Sequence, residues 1–485
     1  MFSSAATLNV AENAQGAVYT VAAADPEGAA LTYAVAAGAD ATRFSFNATT
    51  RELSFVATPD FESPADANAD NVYEIRFSAS DGVTFATLDL RVTVTDQADS
   101  LRVRRIKNGL VEPVFVHGIP VNNSGPIPEL VYGERRGMIR AMNPETGAVS
   151  GSDFLDLTAE VSTTNGQGLL AMAFSPNFVT DHTFFVIMSN TSGNTEIQKY
   201  LTYSSVFDRA DPLTAHTILT ITNHPALCGT TRRGGFMAFD KNNFLLIGHG
   251  DCGSPTDAQG LGFKGALLRI DPFRDDYLAD PFKNYGIPST NPFASVGGEP
   301  EMFGRGLRDP YRGSVDSLTG DIYIGDIGED ALEEINRRPA SLTGLINFGW
   351  NLRQGTQAYN NGANSANFTA PVAQYAHGAG QREGSAVIGG LVIRQSTLTG
   401  LRPQPPSLIG LYIFGDRVSR NIWTVPVSAL TSGGTVPSSQ FNVRTAEFTP
   451  DAGTIDRIEA FGTDLFGTVY IVDGDGEIFR IEPAN

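Results

Sequence analysis

The feature that most constrains the fold of this chain is a loose repeat that runs from residue 130 almost to its end. Each copy is an apolar strand, a turn that contains Asp, Asn or Gly, and a second apolar strand. Copies are visible at 130–141, 169–188, 235–248, 313–325, 410–425 and 458–481. Repeats that each supply part of a four-stranded sheet predict a β-propeller, here with six blades, because radial closure protects the strand edges.

The first hundred residues have a different texture. Short alternating runs, separated by acidic turns, predict an immunoglobulin-like β-sandwich over residues 1–99. The basic stretch LRVRRIK at 101–107 is interpreted as a connector, so we expect a linker at 100–107 and the propeller at 108–485. Helical periodicity is strongest at 329–336, where it predicts about two turns. The fold class is therefore expected to be all-β.

Charge and composition exclude several functions. The chain has 53 acidic and 34 basic side chains, a net charge of −19, which argues against nucleic acid or an anionic membrane as partner. It has no apolar run near the roughly 18 residues of a spanning helix, and no signal peptide is visible in this chain. Only five of the basic residues are lysines, and cysteines number two, a composition typical of exported bacterial proteins. We expect a location outside the cytoplasm: extracellular, on the cell surface or periplasmic.

Carboxylates are concentrated in the turns of the N-terminal segment. Calcium takes six to eight hard oxygen ligands, so these turns indicate calcium binding, although acidic turns also occur simply because they are soluble. The candidate ligands are Glu12, Asp25, Glu27, Asp60, Glu62 and Asp81.

The pieces AEN, PDFE, ASDG and a closing VTVTD within residues 8–98 resemble a bacterial cadherin-like domain. That resemblance implies calcium ligation by Glu12, Asp60, Glu62 and Asp81. The acidic linker that ends such domains is reduced here to DQAD at 96–99.

The propeller segment carries a second and more specific set of motifs. In chain order they are GQGLLAMAFSPNF (166–178), GGFMAF (234–239), GHGDCG (248–253), LLRIDP (267–272), GLRDPYRG (306–313), INFGW (346–350) and YIFGD (412–416). Together they resemble the pyrroloquinoline quinone (PQQ)-dependent sugar dehydrogenases, or glucose/sorbosone dehydrogenases. That resemblance implies a six-bladed propeller, PQQ with calcium as cofactors, and cofactor contacts at Gln167 and Arg308. It also implies a histidine base in an Asp-His-x-Gly-Gly string.

The sequence departs from that family at three functional positions. Arg232 stands at the position of the histidine, and an arginine cannot be deprotonated to act as a base. Asp309 replaces an asparagine and adds a carboxylate where the anionic cofactor should lie, and no lysine follows Lys283. Another histidine, His249, either faces the central mouth as a substitute base or is a hydrogen-bonded loop residue. Together the departures indicate that the family chemistry is lost.

Two residue pairs near Arg232 leave alternatives open. Cys228 and Cys252 lie on two loops of one repeat and form either a disulfide, worth roughly 3 kcal/mol by loop closure, or two free thiols. Arg232 and Arg233 either bind an anion or pair with Asp251 or Asp309 and fill the cofactor site.

Two hypotheses for function follow. The first is a non-catalytic binding, adhesion or structural module of a surface or filament, with other extracellular proteins, further copies of itself or polysaccharides as partners. The second is a PQQ- and calcium-dependent aldose sugar dehydrogenase with altered site residues. The loss of the histidine at position 232 favours the first.

Overall fold

The structure, a computed structural model, is almost entirely β. The chain divides into two compact units. The first consists of Met1–Ser100 with Pro405–Gly410, and the second consists of Leu101–Gln404 with Leu411–Ala484. The described residues are 1–12, 14–61, 64–96, 101–120, 130–203, 206–222, 232–295, 297–360, 362, 367–396 and 404–484.

The first unit consists of two sheets around one core. Its longer strands alternate strictly: along Val72–Ser80, Tyr73, Ile75, Phe77 and Ala79 point inward and are buried. Both sheets contribute to the same hydrophobic cluster, which fits the sandwich expected from the sequence. The strands, in sheet order, are Thr7–Ala11, Phe85–Thr95, Val72–Ser80 and Thr32–Ala37, then Ala17–Thr20, Glu52–Phe55 and Phe44–Asn47.

The described part of the second unit contains six sheets of four or five strands, and we number them as blades 1 to 6 in the order of their first strands. Blade 1 contains Pro113–Gly118, Leu130–Glu134, Met138–Met142 and Leu155–Asp156; blade 2 contains Leu169–Phe174, Thr183–Ser189, Thr195–Tyr203 and Val206–Ile221; blade 3 contains Gly234–Phe239, Leu245–His249, Ala266–Ile270, Met302–Arg305 and Ile346–Asn347. Blade 4 contains Pro310–Val315, Ile322–Asp326, Leu332–Arg338, Ala373–Ala376 and Val436–Pro437; blade 5 contains Val387–Val392, Leu411–Asp416, Ile422–Pro426 and Asn442–Val443; blade 6 contains Ile458–Thr463, Val469–Asp473, Glu477–Pro483 and Leu101–Lys107.

Helices are few and short. A two-stranded hairpin, Arg353–Gln354 with Gln357–Ala358, lies outside the blades. The one described α-helix is Phe178–Asp181, and the 3₁₀ turns are Ala41–Arg43, Thr164–Gly166, Pro255–Gln259, Pro406–Leu408, Val427–Ala429 and Ser438–Gln440. No described helix is both long enough and apolar enough to cross a bilayer.

The blades form a closed ring. The first strand of each blade contacts the first strand of the next, and that of blade 6, Ile458–Thr463, contacts that of blade 1, Pro113–Gly118. The structure is therefore the six-bladed propeller that the repeat predicts. A first strand is the innermost strand of its blade, so its ends lie at the two ends of the central axis.

The segment interpreted as a linker, 100–107, is instead a strand from Leu101 to Lys107, and this prediction was wrong. The strand pairs antiparallel with Glu477–Pro483 and completes blade 6, so the two ends of the propeller segment close one sheet. Val103 and Ile106 are buried, and the arginines that suggested a flexible connector have carboxylate partners such as Glu482.

The helix predicted at 329–336 is also wrong. Leu332–Arg338 is a strand of blade 4 and pairs with Ile322–Asp326. Glu333 and Glu334 are buried there because both accept hydrogen bonds, Glu333 from the Val387 N–H at 3.0 Å and Glu334 from the Gly355 N–H at 2.8 Å.

Candidate functional site at the mouth of the propeller

The site residues predicted from the sequence converge on one end of the central axis. Consecutive strands of a blade are antiparallel, so the start of its first strand and the end of its second lie at the same end. Arg232 precedes the first strand of blade 3, and Arg308 and Asp309 precede that of blade 4. Gln167 precedes the first strand of blade 2. We call this end the mouth.

Arg232 and Arg308 are joined at the mouth by one carboxylate. Glu329, which follows the second strand of blade 4, accepts from Arg232 Nη2 at 2.8 Å and from Arg308 Nε at 2.7 Å. Arg232 also lies 3.8 Å from the buried Asp251. Burial alone would raise the pKa of Glu329, but the two arginines outweigh it and hold that pKa below its usual range. The position of the expected base is therefore occupied by a paired guanidinium.

Asp309 is buried and faces the backbone. Its Oδ1 accepts the N–H of Gly234 at 2.9 Å, and its own N–H donates to Asp326 at 2.7 Å. Burial raises the pKa of Asp309 to about 6, against the lowering effect of the bond from Gly234 and the charge of Arg308. This carboxylate therefore joins the starts of the first strands of blades 3 and 4.

One aromatic residue of the mouth, Trp350, belongs to the INFGW piece but was not predicted to be a site residue. Trp350 donates its indole N–H to Asp251 at 2.8 Å, stacks on Tyr359 at 5.2 Å between ring centroids, and has Arg308 over its ring at 5.6 Å. Burial raises the pKa of Asp251, and the bond from Trp350 opposes that rise. The INFGW piece, which ends at this tryptophan, was the available signal.

A second charged cluster at the mouth was missed by the sequence analysis. Glu459, near the start of the first strand of blade 6, is bonded to Arg135 of blade 1, to the Tyr311 hydroxyl of blade 4 and to Arg417 of blade 5, the last at 3.0 Å. Blades 1 and 4 are opposite in a ring of six, so side chains from both can meet only at the axis. No sequence motif could have announced a cluster assembled from four blades.

Gln167 and Arg233 lie together at the blade 2 side of the mouth. Arg233 is buried and donates from Nη1 to the carbonyl of Gly193 at 2.9 Å, and the side chain of Gln167 lies beside the same glycine. Burial lowers the pKa of Arg233. The arginine at position 233 thus joins two loops.

His249 does not present a base at the mouth. It is fully buried, its Nε2 lies 3.2 Å from the Thr195 hydroxyl and its Nδ1 lies 3.1 Å from the carbonyl oxygen of Phe263. Burial lowers its pKa to about 4. The geometry is that of the hydrogen-bonded loop histidine, and the catalytic interpretation of His249 is corrected accordingly.

Comparison with known proteins supplies the family. The sequence pattern of the family described as glucose/sorbosone dehydrogenase matches residues 125–395. The chain belongs to the glucose/sorbosone dehydrogenase family. Among curated relatives, the HIPL2 protein of Arabidopsis thaliana is 26% identical over 339 residues, 58% of this chain and 47% of that protein. Hedgehog-interacting protein of Mus musculus is 28% identical over 243 residues, 46% of this chain and 33% of that protein. The chain therefore spans about half, or less, of these relatives.

Solved structures of family enzymes share the propeller fold. The PQQ-bound aldose sugar dehydrogenase of Streptomyces coelicolor superposes with a TM-score of 0.55 at 17% identity, over 79% of this chain and 98% of that one. The apo aldose sugar dehydrogenase of Escherichia coli gives a TM-score of 0.57 at 18% identity, over 79% of this chain and 100% of that one. At such identities the likeness concerns the fold.

The described mouth of this family member does not fit PQQ. A tricarboxylate needs cations that are available to it, and the oxidation needs a base. Here Arg308 is engaged by Glu329, the buried carboxylate of Glu459 is bonded to Arg135 and Arg417, and an arginine holds the position of the base.

The N-terminal carboxylates do not form one site. Asp81 follows Ser80, which pairs with Phe85 at the start of Phe85–Thr95, whereas Glu12 follows Ala11, which pairs with Thr95 at its end. About 30 Å of strand separates the two ends, so Glu12 and Asp81 cannot bind the same ion.

The remaining candidate ligands divide between turns and the Glu12 end. Asp25 Oδ1 accepts the N–H of Glu27 at 3.0 Å within an exposed turn. Glu12 is buried and accepts the N–H of Phe61, the residue after Asp60, at 3.0 Å. Glu62 lies outside the described residues. Within the described ranges, no group of three or more His, Cys, Asp or Glu side chains that could hold a metal is present.

The cysteine pairing stays a prediction. Cys252 is buried, and its N–H donates to the carbonyl of Arg232 at 3.1 Å, while Cys228 lies outside the described residues. A crosslink at Cys252 would therefore be close to the mouth.

Proposed function

We propose that this chain is an extracellular binding, adhesion or structural module that uses a sugar dehydrogenase propeller with a degenerate catalytic site. The observation that carries the proposal is the bridge from Arg232 through Glu329 to Arg308. It ties the position of the expected base to a position expected to contact the cofactor.

The chemistry of the bridge supports a non-catalytic role. A general base must exist in its deprotonated form near the working pH, and an arginine does not. A substitute would need an accessible imidazole or carboxylate, and His249 is enclosed while Asp309 is bonded to backbone. Glu329 is more accessible, but its two arginines hold its pKa below the usual range and make it a weak base, so the described mouth supplies charge and shape without a suitable general base.

The relatives support binding to other proteins. One curated relative is named for its interaction with another protein, Hedgehog-interacting protein. For this chain we propose another extracellular protein, a further copy of itself or a polysaccharide as partner. The composition, poor in lysine and cysteine, supports a location outside the cytoplasm.

Calcium belongs to the same proposal. We propose that it binds the N-terminal unit at the end that carries Glu12 and Asp60, because Glu12 accepts the N–H of Phe61, the residue after Asp60. Calcium there would stiffen the unit and does not bear on the mouth.

The test is reconstitution with cofactor. The full chain is mixed with PQQ and Ca²⁺, and aldose-dependent reduction of a redox dye is measured beside the E. coli aldose sugar dehydrogenase as positive control. We expect no turnover from this chain. Turnover comparable to the control would overturn the proposal.

A second candidate function is an aldose sugar dehydrogenase dependent on PQQ and calcium with altered residues, and family membership favours it. The variant Arg232→His separates the two, with Arg233→His as a matched control. Activity restored by the first variant alone would show a cofactor site still intact and would favour the dehydrogenase. Absence of activity in both variants supports the binding module.

A further inference from the structure

We infer that Glu459 and Glu329 are built-in anions: they occupy the arginine-lined mouth from within and keep external carboxylates out. This inference deepens the proposed function and rests on it. It concerns this chain's own residues, and its test needs no enzymatic activity.

The first support is the number of cations that share one carboxylate. Arg135 and Arg417 bond the carboxylate of Glu459, and Arg312 donates to the backbone carbonyl of the same residue at 3.2 Å. The Tyr311 hydroxyl donates as well. Two guanidiniums and a phenol, from three blades, thus surround one carboxylate, with a third guanidinium on the backbone of the same residue, which is an arrangement suited to a bound anion.

The second support is burial. The side chain of Glu459 is 2% exposed, yet the attraction of Arg135, Arg417 and Arg312 outweighs its desolvation and holds its pKa below the usual range. The carboxylate is therefore ionised at neutral pH. A buried carboxylate of this kind is stable only while its arginines stay in place, and the arginines in turn need the carboxylate.

The third support is Glu329, which also pairs with two arginines, on the other side of the mouth. Its carboxylate lies between Arg232 and Arg308, and it is more exposed than Glu459, at 30% of its side chain. Of the two internal anions, Glu459 is thus the deep one and Glu329 the one nearer to solvent.

The inference predicts that removal of the negative charge of Glu459 strengthens the binding of anions from solution. Glu459→Gln keeps the side-chain shape and leaves Arg135 and Arg417 with a neutral neighbour, so an anion from solution gains a site. We expect the Kd for PQQ, and for citrate as a tricarboxylate without a quinone, to fall by about tenfold or more. Glu459→Asp retains the charge and should exclude both probes as the unchanged chain does.

The experiment is a calorimetric titration of the full chain with each probe, with thermal unfolding recorded for every variant. Glu145→Gln is the matched control, because Glu145 also bonds a buried arginine, Arg480 at 2.6 Å, at a place remote from the mouth. If Glu459→Gln fails to fold, Glu329→Gln carries the test, with a smaller expected gain because its site is more exposed.

Stronger binding of both probes to a folded Glu→Gln mouth variant, with none gained by Glu145→Gln, supports the inference. Equal binding of citrate by the unchanged chain and by a folded Glu459→Gln variant would overturn it. This failure is distinct from that of the proposed function, which is decided by aldose turnover in the unchanged chain.

Discussion

Two arginine–carboxylate networks in the propeller differ in how they are assembled. One, at the mouth, centres on Glu459 and Glu329. The other, which we call the seam, joins blade 6 to the neighbouring turn of blade 1 and consists of Arg102, Arg104, Arg480, Glu145 and Glu482.

The seam joins neighbours, and the mouth joins blades that are not neighbours. Arg480 and Glu482 belong to one strand, and Arg102 lies on the strand paired with it. Ion pairs within one sheet stabilise that sheet in any fold. Glu459 instead is bonded at the axis to arginines of blades 1 and 5. The comparison teaches that the position of an ion network relative to the axis, more than its composition, indicates whether it has replaced a ligand.

The largest expected effect tests how much each network depends on its carboxylate. Glu459→Ala leaves Arg135 and Arg417 without their buried counter-charge and should lower the free energy of unfolding of the propeller by about 3–5 kcal/mol. Glu482→Ala should cost less, because the buried Arg480 keeps Glu145 as a counter-charge and Arg102 is half exposed. Denaturant unfolding followed by tryptophan fluorescence measures both, and equal losses would remove the distinction between the networks.

A smaller effect is expected from the carboxylates at the two ends of Pro310–Val315, the first strand of blade 4. The pKa of Asp309, at the mouth, is raised to about 6, above its unfolded value near 4, so its contribution to stability is present below pH 4 and is lost as the pH rises through 6. Asp309→Asn should therefore be more stable than the unchanged chain at pH 8, by on the order of 2 kcal/mol.

Asp316, just past the other end of that strand, is the matched control. It pairs with Arg394 at 2.7 Å, and although burial acts to raise its pKa, the hydrogen bonds from Arg394, Thr319 and Leu318 together outweigh burial and leave the pKa lowered. Its contribution is present at neutral pH and is lost as the pH falls through the lowered value. Asp316→Asn should thus be less stable at pH 8, and the same sign for both variants would contradict the account.

A further prediction extends the comparison to the N-terminal unit, where we propose calcium as the counter-charge. Ca²⁺ at ten times its Kd should stabilise that unit by about 1.4 kcal/mol. Glu12→Gln should abolish the rise in its thermal midpoint, and Asp81→Asn should leave it unchanged. Loss of the rise in the second variant alone would place the ion at the opposite end of the sheet.

The smallest effect is expected at the exposed edge of the seam. Arg102→Ala removes a pair whose arginine is 50% exposed and should change the free energy of unfolding by less than about 1 kcal/mol, with the loss decreasing in salt. A loss in the free energy of unfolding as large as that of Glu459→Ala would show that the seam, and not the mouth, stabilises the ring of blades.

The sequence predicted the six blades, because strand periodicity and turn residues are local signals. It failed where partners are remote. Leu101–Lys107 has the composition of a linker, and it is a strand because its backbone pairs with Glu477–Pro483, where Glu482 lies 380 positions after Arg102. The helical spacing at 329–336 was overridden by pairing within blade 4. The role of Glu459 depends on four blades meeting at the axis and has no local signature.

The most direct test of the central claim is titration of the unchanged full chain with PQQ in the presence of Ca²⁺. The account predicts no saturable binding at concentrations that saturate the E. coli aldose sugar dehydrogenase, because the arginines of the mouth already hold Glu459 and Glu329. Stoichiometric binding with aldose-dependent turnover would contradict it.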